Sequence, residues 1–365
     1  MQAAGGGQSL APEHMGQLVG LLEAGLSPEA HVRQPAEAVL DSWKELPGYF
    51  SLLKELVVSP DAPAQARWLG AMCFKNAIKR SWRKSRHNSG GVSEDERQHL
   101  RVHVLEFLDV DDERISKQVA EIVSQIARYE FPGNWPELFP GLLGRLEGHM
   151  SSGTPHDLTR VRTLLRTLKS VIKVLVSKRL PADKRAFAEL APSVFHALCS
   201  IWSAQSDEFL SACSAGSPHA QPRQQQELAE AQHSLGKVTL YCMQTLRSVL
   251  LDGMSDFRGS ADAPTYLNML GPRLQAFVEC YMHLGDPEED DLPKCVRKCI
   301  MTMAETAVML QDKQPQAFSE GGFLLPYLEL FRELVASPAA VKEPAAPRPR
   351  PPATGLLLLW QARGC

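Results

Sequence analysis

From Pro12 to about residue 335 the sequence repeats one unit: an apolar stripe at helical period, a turn, a second stripe, and another turn. Period-2 alternation is almost absent and no Asn-Gly hairpin pair occurs, which argues against β-structure. The stripes fall into pairs at a spacing of about 40 residues, the repeat length of HEAT and armadillo units. A single pair buries only one face, so neighbouring pairs must stack to complete a core. The spacing therefore predicts an all-α fold, a right-handed superhelical solenoid of HEAT-type helix pairs.

The punctuation between stripes is chemically specific. Ser27-Pro28 reads as an N-cap with proline at the first helical position. Pro47 and Ser59-Pro60 bound a third helix. Ser93 with Glu96 forms a capping box opening a helix through Leu108. Ile115, Val119, Ile122, Val123 and Ile126 make a clean stripe, and Pro132, Asn134, Trp135 and Pro136 mark the turn into the next helix. Residues 181–202 read as one helix or a pair kinked at Pro192, and 211–224 as a loop. Further helices are predicted over about 225–251, 264–284, 291–311 and 319–335. The organisation is then a disordered start over 1–11, a first block of repeats over 12–130, further repeats over 131–336, and a Pro-rich, disordered tail over 337–365.

The stretch Ala64 to Lys84 is apolar in its first half, with Trp68, Leu69, Met72 and Phe74, and basic in its second, with Lys75, Lys79, Arg80, Arg83 and Lys84. Ile78 and Trp82 continue its apolar seam at i,i+4. A packed helix with a solvated basic end explains it, and so does a helix whose basic end docks a partner.

Several functional classes find little support. The formal net charge is -3, so any affinity for nucleic acid would have to come from a local patch. The segment Lys75 to Arg86 is basic but carries one aromatic, Trp82, already needed for packing, and Phe74 just before it, so no stacking platform forms and no nucleic-acid partner is expected. Eight cysteines lie mostly in apolar helical text and read as reduced, buried thiols. Cys280, His283, Cys295 and Cys299 have spacing that permits a zinc site, but both halves sit in apolar stripes, so no metal is expected. The acidic run over 286–291 reads as a solvated turn. No signal peptide is recognised, and the longest apolar run, Leu356 to Trp360, is far too short to enter a bilayer as a span. Phosphate-loop, G-x-S-x-G and H-E-x-x-H motifs are missing, so no enzyme activity and no cofactor are expected.

Four segments, in order, carry a family resemblance. They are RQPAEAVLDSWKELPGYFSLL (33–53), ARWLGAMCFKNAIKRSW (66–82), ISKQVAEIVSQIARYEFPGNWPEL (115–138) and SKRLPADKRAFAELAPSVF (177–195). The chain resembles the importin-β (karyopherin-β) superfamily through the Lys75-Asn76 pair followed by Trp82 and through the Pro-x-x-Trp-Pro turn. The resemblance implies a nuclear transport receptor that shuttles between cytoplasm and nucleus through the nuclear pore. It implies binding to the GTPase Ran in its GTP form, to protein cargo and to Phe-Gly nucleoporins, as a monomer. It places the Ran face on Arg67, Lys75, Asn76 and Lys79, with Lys117 and Gln118 on the inner helix of the next pair. The same resemblance admits an exportin, and a helical scaffold that never meets Ran is a further alternative. Members of the superfamily have about twice as many repeats or more, and the ending LLLLWQARGC matches nothing in them, so a truncated form is expected.

Overall fold

The computed structural model describes residues 9–83, 92–110, 112–152, 155–214, 222–254, 262–284 and 291–336. Residues 1–8 of the start expected to be disordered over 1–11, the tail over 337–365 and residues 286–290 of the acidic run over 286–291 lie outside the described residues, whereas Leu10 is described and buried.

Within them the chain is built of helix pairs. Helices α1 (Met15–Ala24) and α2 (Ala30–Trp43) pack together, followed by α3 (Tyr49–Val58) with α4 (Ala64–Ser81). Helix α5 (Glu94–His103) runs on as a 3-10 segment to Asp109 and, through it, joins α6 (Glu113–Glu130). The later pairs are α7 (Leu138–Ser152) with α8 (Pro155–Val176), α9 (Pro181–Ser214) with α10 (Pro222–Ser248), and α11 (Asp262–His283) with α12 (Asp291–Lys313). Short α13 (Pro315–Glu320) and α14 (Leu324–Ala336) close the described chain. The second helices form a continuous row, α4 on α6, α6 on α8, α8 on α10 and α10 on α12. No strand occurs among the described residues. The inner helices do not keep one period: 42 residues separate the starts of α6 and α8, and 69 those of α10 and α12. The lengthening lies in the 27-residue α10, its continuation to Gly253 and the 22-residue α11 that follows.

Local signals explain most boundaries and misplace a few. Ser93 caps α5 as its spacing predicts, its Oγ accepting from the Glu96 N–H at 3.2 Å. The expected return bond of the capping box is not made. The Glu96 carboxylate instead accepts from the Gly48 and Ser51 N–H groups at 3.2 and 3.1 Å, capping α3 from the neighbouring pair. Ser27 is not the N-cap of α2: Glu29 is, and Ser27 Oγ holds the Glu29 N–H at 3.2 Å. The helix opened by Ser93 does not stay α-helical to Leu108 but tightens at Val104. Pro192 lies inside α9, which stays one helix and reaches into the segment read as loop, to Ser214.

The core runs unbroken through the stack. At its N-terminal end Phe50, Phe74 and Phe107 stack edge to face at 5.3 and 5.6 Å, with Trp82 at 6.1 Å from Phe50. Gly48 begins α3 at φ 86, and a Cβ there would meet the Leu10 carbonyl oxygen at 2.2 Å. Leu10 N–H in turn donates to the Pro47 carbonyl at 2.8 Å. Gly48→Ala is therefore expected to lower stability by at least ~1–2 kcal/mol, the cost of the left-handed region before the clash is counted. Urea unfolding measures it, and an unchanged midpoint would refute the constraint.

A cation-edged seam between the inner helices

Helix α4 buries Ala66, Gly70, Ala71, Phe74, Ala77 and Ile78, which fixes the orientation of the rest of its circumference. Its basic half does not simply face solvent. Lys75 Nζ donates to Gln118 Oε1 on α6 at 2.7 Å and lies 3.6 Å from Met72 Sδ. Arg83 reaches the Tyr129 carbonyl, with its guanidinium 5.3 Å from the Tyr129 ring. Trp82, 1% exposed, donates its Nε1–H to Glu130 Oε1 at 2.7 Å. Glu130 is itself buried, and its other oxygen accepts from Arg101 at 2.8 Å and from Asn134 at 3.0 Å. Three donors from α4, α5 and the turn after α6 thus satisfy one buried carboxylate, as burial requires.

The six residues drawn from the sequence separate into three environments. Lys75 and Gln118 are brought into direct contact. Lys79 is exposed one turn beyond Lys75 on α4, and Asn76 is exposed one position round the helix from Lys75. Lys117 points elsewhere: it is 59% exposed and pairs with Glu113 at 3.5 Å. Adjacent helical positions do not share a face, so Lys117 and Gln118 diverge. Arg67 sits two turns before Lys75, half-buried, and its Nε donates to the Val57 carbonyl at 2.9 Å, closing the α3–α4 turn. Of the remaining cations named in that stretch, Lys84 and Arg86 lie outside the described residues.

The seam continues along the row with residues that sequence reading did not single out. Arg166 of α8, 9% exposed, donates to Ser116 Oγ and Glu113 Oε1, both at 3.1 Å, and to the Tyr241 hydroxyl at 3.3 Å. Burial pushes the Glu113 carboxyl up, but Arg162, Lys237, Lys117 and Arg166 outweigh it and hold the group below the usual carboxylate range. Lys169 donates to the Gln244 carboxamide, and Arg247 pairs with Glu305. The spacing that could have revealed this is Arg162, Arg166, Lys169 and Lys173, one cationic stripe on α8.

The zinc reading finds no site: among the described residues no group of three or more His, Cys, Asp or Glu converges as a metal cage. Cys280 and Cys213 of α9 are free thiols within hydrogen-bond reach of each other, and Cys299 is fully buried. No helix of the described residues is long and apolar enough to cross a membrane.

Comparison with known proteins agrees with this architecture. Residues 36–110, from α2 to the end of the 3-10 segment, match the importin-beta N-terminal domain. Importin-11 of Mus musculus and of Homo sapiens are each 28% identical over 299 residues, covering 82% of this chain and 28% of each relative. The chain therefore spans less than a third of those proteins. Exportin-2 of Drosophila melanogaster is 30% identical over 158 residues, 43% of this chain and 16% of the relative. Among solved structures, Lph2, a bidirectional nuclear transport receptor of S. cerevisiae, superposes with a TM-score of 0.70 at 20% identity, covering 88% of this chain and 29% of that one. Over residues 36–110 the chain is thus similar to the importin-beta N-terminal domain, over most of its length it is similar to part of importin-11, and its solenoid of paired helices is similar to that of Lph2.

Proposed function

We propose that this chain acts in nuclear transport and binds the GTPase Ran in its GTP form through the exposed edge of the α4–α6 seam. The observation that carries the reading is the Lys75–Gln118 bond: it joins two successive inner helices, with Lys79 exposed one turn further along α4 and Asn76 exposed one position round the helix. This junction adjoins the segment matched to the importin-beta N-terminal domain, which holds α4. Arg67 and Lys117 contribute less directly, the first by fixing the α3–α4 turn and the second through Glu113. Protein cargo and Phe-Gly nucleoporins are the further partners, and the working locations are the cytoplasm, the nucleus and the pore between them. No step is chemical; the work is done by binding.

An exportin reading is supported by the 30% identity to Drosophila Exportin-2. The two differ in whether Ran and cargo bind together or exclude each other. The first test is common to both. Binding of purified protein to Ran loaded with a non-hydrolysable GTP analogue is compared with binding to Ran loaded with GDP. A clear preference for the GTP form is the expected result, and equal or absent binding overturns the reading.

A further inference from the structure

We propose that the surface formed by α8, α10 and α12 is a docking site for an acidic protein segment, whose carboxylates seat on Lys169, Lys173 and Lys298. The site involves none of the α4 and α6 residues assigned to Ran and stands or falls without them.

Helix α8 places Arg162, Arg166, Lys169 and Lys173 at i, i+4, i+7 and i+11, a stripe of like charge about three turns long. Helix α12 adds Lys298 to the same neighbourhood, and α10 supplies Tyr241, Gln244 and Arg247 beside it. The acids within reach are already engaged. Glu113 meets Arg166 at 3.1 Å and Arg162 at 3.8 Å, Glu305 pairs with Arg247, and Asp252 lies 3.7 Å from Lys313. No carboxylate pairs with Lys169, Lys173 or Lys298 among the described residues.

Lys169 shows the consequence. Its amine has a neutral carboxamide, Gln244, and a ring face, Tyr241 at 5.4 Å, where a half-buried cation ordinarily has an anion. Burial first, and then Lys173, Arg166 and Lys298, hold its pKa below the usual lysine value. An incoming carboxylate opposes the repulsion among these cations and gives the amine the charged acceptor it lacks. Space is available: a cleft of about 340 Å³ opens between Lys169, Gln244, Arg247, Thr302 and Met309.

The chemistry favours protein over nucleic acid. Tyr241 on this surface already has Arg166 at 5.5 Å and Lys169 at 5.4 Å over its ring, so no base can stack there. Glu113, Glu305 and Asp252 punctuate the surface with negative charge, which a continuous phosphate backbone meets unfavourably and a side-chain array does not.

The test is fluorescence anisotropy of a short labelled poly-glutamate peptide with the full chain, at low and at physiological salt. Binding that weakens with salt is expected. Lys173 and Lys298 are exposed, so the double variant Lys173→Gln/Lys298→Gln retains the fold and is expected to weaken the peptide roughly tenfold or more. Lys169→Gln is expected to act in the same direction. Arg223→Gln, at an arginine 90% exposed near the start of α10, is the control and leaves affinity unchanged. A peptide that does not bind, an equal loss with Arg223→Gln, or an oligothymidylate that binds more tightly than the peptide and is lost with the same variants, overturns the proposal.

Discussion

Replacing Glu130 with alanine is expected to lower stability by ~3–5 kcal/mol, the range for removing one partner of a buried charged pair. The variant takes the shared acceptor from three groups: the Trp82 indole N–H, bonded at 2.7 Å, the Asn134 amide, bonded at 3.0 Å, and the Arg101 guanidinium, bonded at 2.8 Å, which keeps only Glu94 at 2.9 Å. Glu130→Gln keeps an acceptor for Trp82 but loses the charge that Arg101 faces, so its loss is smaller. Trp82→Phe combined with Glu130→Ala should cost less than the two singly, because the second change removes a group the first has already orphaned. Urea unfolding of the parent and the four variants measures this directly. An alanine variant within 1 kcal/mol of the parent would mean that the buried carboxylate does not tie α4, α5 and α6 together.

At the proposed Ran–GTP surface, reversing charge at both Lys75 and Lys79 is expected to weaken binding by about 2–3 kcal/mol, or roughly 30- to 150-fold, with the larger share in association and a shallower salt dependence. The fold should survive. Lys79 is exposed, and Lys75 loses one bond to a neutral carboxamide. Arg67→Gln is predicted to differ, lowering thermal stability with little effect on the GTPase, since its Nε holds the Val57 carbonyl at 2.9 Å. Titration of each variant against GTP-loaded Ran, alongside its melting curve, separates the cases. Unchanged affinity in the lysine double variant removes α4 from the interface.

What the sequence discloses follows the range of the interaction. The α6 stripe of Ile115, Val119, Ile122, Val123 and Ile126 is legible because helical period reports burial within one element, and all five are buried. The Ser93 cap is legible for the same reason, as its bond spans three residues. Glu96 looks like the other half of that box, yet its oxygens serve Gly48 and Ser51 on another pair. Nothing local marks a partner more than forty residues away. Pro192 suggests a break, and tertiary packing of Ala191, Val194, Phe195 and Leu198 carries the helix through it. The candidate site divides likewise. Lys75 and Asn76 stand out as a pair in the text, whereas the Lys75–Gln118 contact exists only once α4 lies on α6. The α8 cations are in plain view as a spacing, but that Arg162 and Arg166 share Glu113 while Lys169 and Lys173 pair with no acid among the described residues depends on several helices at once.

The polar seam also sets how the stack can deform. Beneath it the core is close-packed and resists compression. At the surface, successive inner helices are linked by the longest and most jointed side chains available: Lys75 to Gln118, Arg166 to Glu113, Lys169 to Gln244, Arg247 to Glu305. Such links tolerate ångström-scale changes in helix separation by rotating about their own bonds. A small rotation at each junction, repeated along the row, adds up to a large displacement at the ends, so curvature is the soft coordinate of this molecule and local structure the stiff one. A partner gripping two adjacent inner helices sets the angle between them, and every partner seated further along meets a surface of altered radius.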